Sequence, residues 1–252
     1  MSQEPQARER RDESLNHAER WLRDGLRVLR PALSVLQVTV DMTNALRRLE
    51  TLRREGVQAS PTHLLVYAAA RALAANPAVH QLVAGNRRLR PERVDIGLSV
   101  SGDTFVAPVL VIEGADQKTV AEIAEESARR APHAREADRR MQHALKRWGW
   151  LVPFGFARRA VLRALFANPH FRRKGVGTFQ VSTVPADWGL TSTFSTAGVL
   201  MGGQVWSRVI AIDGLPAVRQ SMMLTLSGDH GIWDGRAAAR FMAAVKAELE
   251  AD

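Results

Sequence analysis

Among the seven histidines of this chain, His230 stands in the setting best suited to moving a proton. It lies in the stretch Leu224-Thr-Leu-Ser-Gly-Asp-His-Gly-Ile-Trp-Asp-Gly-Arg236. The alternating run from Met222 to Ser227 predicts a strand that stops at Gly228-Asp229-His230. Beyond the Asp234-Gly235 turn, Ala238, Phe241, Met242, Val245 and Leu249 fall at i, i+3, i+4, i+7 and i+11. That is one apolar face of a helix running from Arg236 to Leu249. Asp234 is placed to cap or precede it. An imidazole between a strand end and a capped helix is held rigidly at the rim of a sheet, where it can take up and return one proton near neutral pH. The spacing His-x-x-x-Asp-Gly also arises often by chance, and Asp-Gly is a common turn, so the rest of the chain must supply the context. The other six histidines have no comparable setting. His63, on an apolar helix, reads as packing.

A chain of 252 residues allows one large domain or two small ones. Its 46% hydrophobic content with mixed charge fits a globular protein that buries a core. No apolar run approaches the length of a transmembrane helix. The charged start, Met1 to Ser14, lacks the apolar centre of a secretory signal. Cysteine is absent, which excludes disulfides and thiolate metal sites and fits a cytoplasmic location. The formal net charge is +9, and only Lys118, Lys146, Lys174 and Lys246 among the 35 basic residues are lysines. An arginine-rich chain could bind nucleic acid, acidic lipid or a polyphosphate such as coenzyme A. No nucleic-acid motif accompanies the charge, so no nucleic-acid partner is expected.

Residues 1–14 read as a disordered tail and residues 15–252 as a single domain. A helix is expected from Asn16 to Arg30, ended by Pro31, then a strand from Leu33 to Met42. Thr43 should cap a short charged helix reaching Glu55, and Ser60-Pro61 should open a buried helix that stops at Asn76-Pro77. A turn at Gly85-Asn86 precedes strands at Val94 to Val100 and Thr104 to Ile112. Two helices follow, Lys118 to Arg130 and Ala134 to Trp148. Trp150 to Phe166 alternates apolar residues with Arg158, Arg159 and Arg163, a pattern that suits a membrane surface but more often covers a core. The core-covering arrangement is the expectation, and membrane contact is not expected. Strands at Gly177 to Thr183 and Arg208 to Ile212 complete an α/β domain of mixed, largely antiparallel sheet with packed helices.

Several of these segments, in order, resemble the catalytic domains of the acyltransferase (E2) subunits of 2-oxoacid dehydrogenase complexes, and the His230 stretch also resembles that of the chloramphenicol acetyltransferases. Asp229-His230 with Asp234-Gly235 is similar to their Asp-His-Arg-x-x-Asp-Gly and His-His-x-x-x-Asp-Gly signatures. Val38-Thr-Val-Asp-Met-Thr43, Ile96-Gly-Leu-Ser-Val100, Phe105-Val-Ala-Pro-Val109, Thr119 to Ile123 and Gly177-Thr-Phe-Gln-Val-Ser182 resemble E2 motifs in the same order, and the likeness runs from about Glu19 to Glu250. The chain departs from the pattern at His80, where an asparagine is usual, at Gly231 in place of arginine, and at Thr183-Val-Pro-Ala-Asp-Trp188 in place of Asn-Leu-Gly. Residues 134–174 are longer and more basic than the E2 equivalent. No Asp-Lys dipeptide is present to carry a lipoyl group. A stand-alone catalytic domain, without lipoyl or peripheral-subunit-binding domains, is expected.

The resemblance implies the chloramphenicol acetyltransferase-like fold and acyl transfer between acyl-coenzyme A and a thiol, dihydrolipoyl-like, or hydroxyl acceptor. The acceptor would be a small molecule or a lipoyl-bearing partner. It implies that His230 is the general base and Ser182 the oxyanion donor. Asp234 would be structural, capping the last helix and pairing with Arg20 or Arg23. No metal is implied. It further implies a homotrimer, or a larger assembly built from trimers, with the histidine and the serine of one site coming from neighbouring subunits. Trp148, Trp150, Trp188 and Trp206 offer interface surface. The competing expectation is a non-catalytic E2-like scaffold, suggested by Gly231 and the altered loop after Ser182. Retention of His230 and Ser182 speaks against it.

Overall fold

The structure, a computed structural model, describes residues 15–28, 32–84, 87–102, 106–193, 196–212 and 214–251. The tail expected over residues 1–14, the Gly85-Asn86 turn, and Asp103 and Asp213 of two further turns lie outside the described residues. In chain order the elements are α1 (His17–Val28), β1 (Leu33–Asp41), α2 (Thr43–Arg54), α3 (Pro61–Ala75), β2 (Leu82–Ala84), β3 (Arg87–Leu89), β4 (Ile96–Ser99) and β5 (Val109–Ile112). They continue with α4 (Val120–Trp148), α5 (Gly155–Ala167), α6 (Pro169–Val176), β6 (Phe179–Thr183), β7 (Gly198–Gly202), β8 (Trp206–Ile212), β9 (Leu215–Asp229) and α7 (Gly235–Glu250).

The main sheet runs β1-β9-β7-β6-β4-β5, with β8 paired to the first half of β9. β6 lies parallel to β4 and β7, and the other pairings are antiparallel. This is the mixed, largely antiparallel sheet that the sequence predicts. Side-chain alternation gives the sheet two different faces. Val40, Leu224, Leu226, Leu200, Phe179 and Val181 join the core with α3 and α7. The rings of Phe179 and Phe241 meet edge-on at 5.4 Å there. The alternate positions mix apolar Val199, Met201 and Met223 with Gln180 and Ser182 on β6, Thr225 and Ser227 on β9, and Gln37 on β1, whose Nε2 donates to Thr225 Oγ1 at 3.1 Å.

Three local expectations are corrected. The two helices expected across residues 118–148 are one, α4, which continues through Pro132. The proline removes one backbone donor, but ion pairs between Arg130 and Glu126 and between Arg140 and Glu136 bridge the turns on either side of it. Thr43 is the first residue of α2 rather than its cap. The cap position is Met42, which offers no side-chain acceptor, and the Asp41 carboxylate just before it accepts from the Thr43 backbone N–H at 2.9 Å and from its hydroxyl at 2.5 Å. α6 and β7 were not expected at all. The helix carries its own start signal, because Asn168 accepts from the N–H groups of His170 and Phe171 and Pro169 occupies the first position.

Candidate active site

Each part of the Asp229–Asp234 turn is tied down. The backbone N–H of His230 donates to Ala32 O at 2.7 Å, and that of Asp229 donates to Ala197 O at 3.3 Å. The Asp229 carboxylate accepts from the Gly231 N–H at 2.9 Å. Trp233, 4% exposed, donates its indole N–H to Ala197 O at 3.0 Å and packs against Gly228. A Cβ at Gly228 would fall 1.9 Å from the Trp233 ring, so only glycine fits under the indole. The Trp233 carbonyl then meets His230 Nδ1 at 3.1 Å. A carbonyl can only accept, so Nδ1 carries the proton and Nε2 keeps its lone pair. His230 is exposed, and its Nε2 has no partner among the described residues. The ring is therefore oriented, its tautomer fixed and its basic nitrogen turned outward. Trp233 is the residue that sequence reasoning missed; the apposition of Gly228 and a tryptophan five residues on was its only local signal.

Asp234 caps α7, its Oδ1 accepting from the Ala237 N–H at 2.7 Å. The expected partner arginines are not brought to it. Arg20 donates its Nε to Leu15 O at 2.9 Å, and among the described residues no ion pair joins Asp234 to Arg20 or Arg23. Both arginines sit on α1, which packs on α4 and α5 instead.

Ser182 is half-buried near the end of β6, on the sheet face that carries Gln180, Thr225 and Ser227. The strand end is pinned by Thr183, whose hydroxyl is 3.0 Å from that of Thr62 at the start of α3. Across the sheet Ser182 is in register with Met201, and Met201 with Thr225. His230 lies five residues beyond Thr225. Two strand spacings across and five residues along put the two side chains roughly 15–20 Å apart within one chain. One subunit does not bring them together.

The start of β6 rests on a buried polar network. His80, 6% exposed, lies with Nε2 2.8 Å from the Thr178 hydroxyl. That hydroxyl donates to Asp95 O at 3.0 Å and accepts from the Asp95 N–H at 3.1 Å, so His80 Nε2 is the donor. Burial pushes the His80 imidazole down to about 4, against the raising influence of Asp116 and Asp95. A histidine depressed in the folded state is neutral in both states above its unfolded pKa. Destabilisation therefore sets in as pH falls through about 6.5, where the unfolded chain protonates, and is complete near the folded value. Between pH 7 and pH 4 this group should remove about 3 kcal/mol of stability. Chemical denaturation across that range should show the loss in the wild type and a flatter profile in His80→Gln.

A cleft of about 590 Å³ opens between α2, α3 and the start of α4, lined by Arg47, Arg48, Tyr67 and Thr119 among others. Neither His230 nor Ser182 lines it. Among the described residues no group of three or more His, Cys, Asp or Glu side chains could hold a metal ion.

The structure is similar to that of a probable dihydrolipoamide acetyltransferase from Listeria monocytogenes 4b F2365, at TM-score 0.74 and 22% identity over 96% of this chain and 95% of that one. It is also similar to a dihydrolipoamide acetyltransferase of Azotobacter vinelandii, at TM-score 0.70 and 20% identity over 99% and 97%. The chain belongs to the family of 2-oxoacid dehydrogenases acyltransferase (catalytic domain), which it matches over residues 30–145 and 194–252. A curated relative is the dihydrolipoyllysine-residue succinyltransferase component of the 2-oxoglutarate dehydrogenase complex of Bartonella vinsonii subsp. berkhoffii, 27% identical over 198 residues. That match covers 79% of this chain and 42% of the relative, so the chain spans less than half of that protein's length.

Proposed function

We propose that this protein transfers an acyl group between acyl-coenzyme A and a thiol or hydroxyl acceptor, with His230 as general base. The observation that carries this reading is the fixed tautomer of His230, with Nδ1–H held by the Trp233 carbonyl and Nε2 bare and exposed. The acceptor gives its proton to Nε2 as its sulfur or oxygen attacks the acyl carbonyl. The oxyanion that develops accepts a hydrogen bond from the Ser182 hydroxyl. Collapse of the tetrahedral intermediate breaks the bond to the coenzyme A sulfur, and the imidazolium returns the proton to that leaving group. Because His230 and Ser182 are far apart in one chain, the site takes its serine from a neighbouring subunit of a homotrimer. Asp234 supports the turn as the cap of α7. The Azotobacter vinelandii structure was determined to investigate a serine, a histidine and an asparagine four residues beyond that histidine in the enzyme's catalytic mechanism. The spacing from His230 to Asp234 is the same.

One observation favours a second reading, an E2-like scaffold without transfer activity. The family match excludes residues 146–193, and Ser182 lies inside that stretch. Calorimetry separates the two readings. Coenzyme A should bind, and more weakly at moderate than at low salt, since its phosphates would meet basic side chains. No binding at millimolar ligand would favour the scaffold.

A further inference from the structure

Helix α5 turns Arg158 inward and several of its apolar side chains outward. Arg158 is 9% exposed. Its Nε donates to Asp24 Oδ2 at 2.7 Å, and its Nη1 donates to the carbonyls of Val152 and Pro153 at 3.1 and 2.7 Å. Arg159 donates to the other oxygen of Asp24 at 3.1 Å. On the outside stand Trp150, Leu151, Phe154 and Phe156, from 55% to 68% exposed. Phe154 and Phe156 stack on each other at 5.6 Å, and the Arg147 guanidinium lies 5.2 Å from the Trp148 ring centroid. The usual arrangement buries the phenylalanines and leaves the arginine in water. The sequence led to the expectation of a core-covering helix; the structure gives the buried position to an arginine instead.

Charge follows the same segment. Between Asp138 and Asp187 there are ten basic residues and no acidic one. The rest of the chain carries 25 basic and 26 acidic residues, so the net positive charge comes from this stretch, although its Arg158 and Arg159 pair with Asp24 and its Arg173 with Asp95. The stretch overlaps residues 146–193, the internal part that the family match leaves out.

We propose that this surface docks the protein on an anionic lipid bilayer. Trp150, Leu151, Phe154 and Phe156 enter the headgroup region, and the exposed Lys146, Arg147, Arg163 and Lys174 of the same stretch meet lipid phosphates. Partly inserted apolar side chains beside a basic rim are what an interfacial contact requires, and tryptophan is favoured at that depth. No described helix is long and apolar enough to cross a membrane, so the contact is with the surface. A second copy meeting this same patch across a twofold axis is the wrong occupant, since it would set the positive charge against itself, and a threefold contact would have to set it against a different, acidic patch. An acidic protein would answer the charge, but neighbouring large apolar side chains framed by cations suit a deformable bilayer better than a rigid acidic surface. None of His230, Ser182 or Asp234 takes part, so docking stands or falls independently of acyl transfer.

Vesicle flotation tests this with the full chain. The wild type should float with vesicles of phosphatidylcholine mixed with phosphatidylglycerol, and not with phosphatidylcholine alone. Phe154→Ser with Phe156→Ser should lower the apparent partition coefficient at least about tenfold, and Arg163→Glu with Lys174→Glu should have a comparable effect. All four side chains are exposed, so thermal melting should be unchanged. Three results would overturn the proposal. The first is no flotation of the wild type at low salt. The second is full flotation of the phenylalanine variant, which would leave only non-specific charge. The third is retention on immobilised polyglutamate that depends on the two phenylalanines without any flotation, which would assign the patch to an acidic protein.

Discussion

His230→Ala should lower acyl transfer by about a thousandfold, within the range for removal of a general base, while the fold and the assembly persist. The side chain is exposed, and its one hydrogen bond is to the Trp233 carbonyl. The turn keeps its other ties, from the His230 backbone to Ala32, from Asp229 to Ala197 and from the Trp233 indole to Ala197. Loss of the imidazole therefore removes chemistry and little packing. A thiol-release assay across several acyl-coenzyme A donors, run beside circular dichroism and mass measurement of the assembly, checks both halves. A folded variant with wild-type rates would remove His230 from the mechanism.

The second large effect is a recovery. Ser182→Ala should cost about a hundredfold on its own, the usual worth of an oxyanion donor. Dissociated and co-assembled with His230→Ala, it should regain activity. The register across β6, β7 and β9 keeps the two groups of one chain far apart, so in the mechanism proposed here a working site needs an intact histidine from one subunit and an intact serine from its neighbour. In a mixture of equal parts, random pairing around a threefold axis makes about a quarter of the sites whole. A site contained in one subunit would give no recovery, because every subunit lacks one group. Persistent inactivity in mixed trimers confirmed by mass spectrometry, with an active reassembled wild type as control, would rule out the shared site.

What could be read from the sequence was what depends on near neighbours. The strand before His230, the Asp234 cap and the apolar stripe of α7 are signals within a few residues, and each is where it was expected. β7 escaped because Val199-Leu-Met201 between glycines is too short for periodicity to separate strand from loop, and its role comes from lying between β6 and β9. The clamp on His230 escaped because it needs Ala197 from the start of another strand. The separation of Ser182 from His230 needs the strand order, which no local pattern carries. α5 misled for a different reason: hydrophobic periodicity finds the apolar face correctly but assumes that it points inward. An aspartate far back in the chain, Asp24, reverses that by pairing with Arg158 in the interior.

The Asp24–Arg158 pair also bears on the order of events at the ribosome. The partners are 134 residues apart. At ordinary rates of synthesis the first helix waits on the order of ten seconds for its arginine to be made. During that time the carboxylate at the centre of that helix has no arginine to pair with, although α4 is made before α5. Helix α1, made before both helices it packs on, thus settles late, and the surface formed by α5 comes into being only when α1 closes over that later part of the chain.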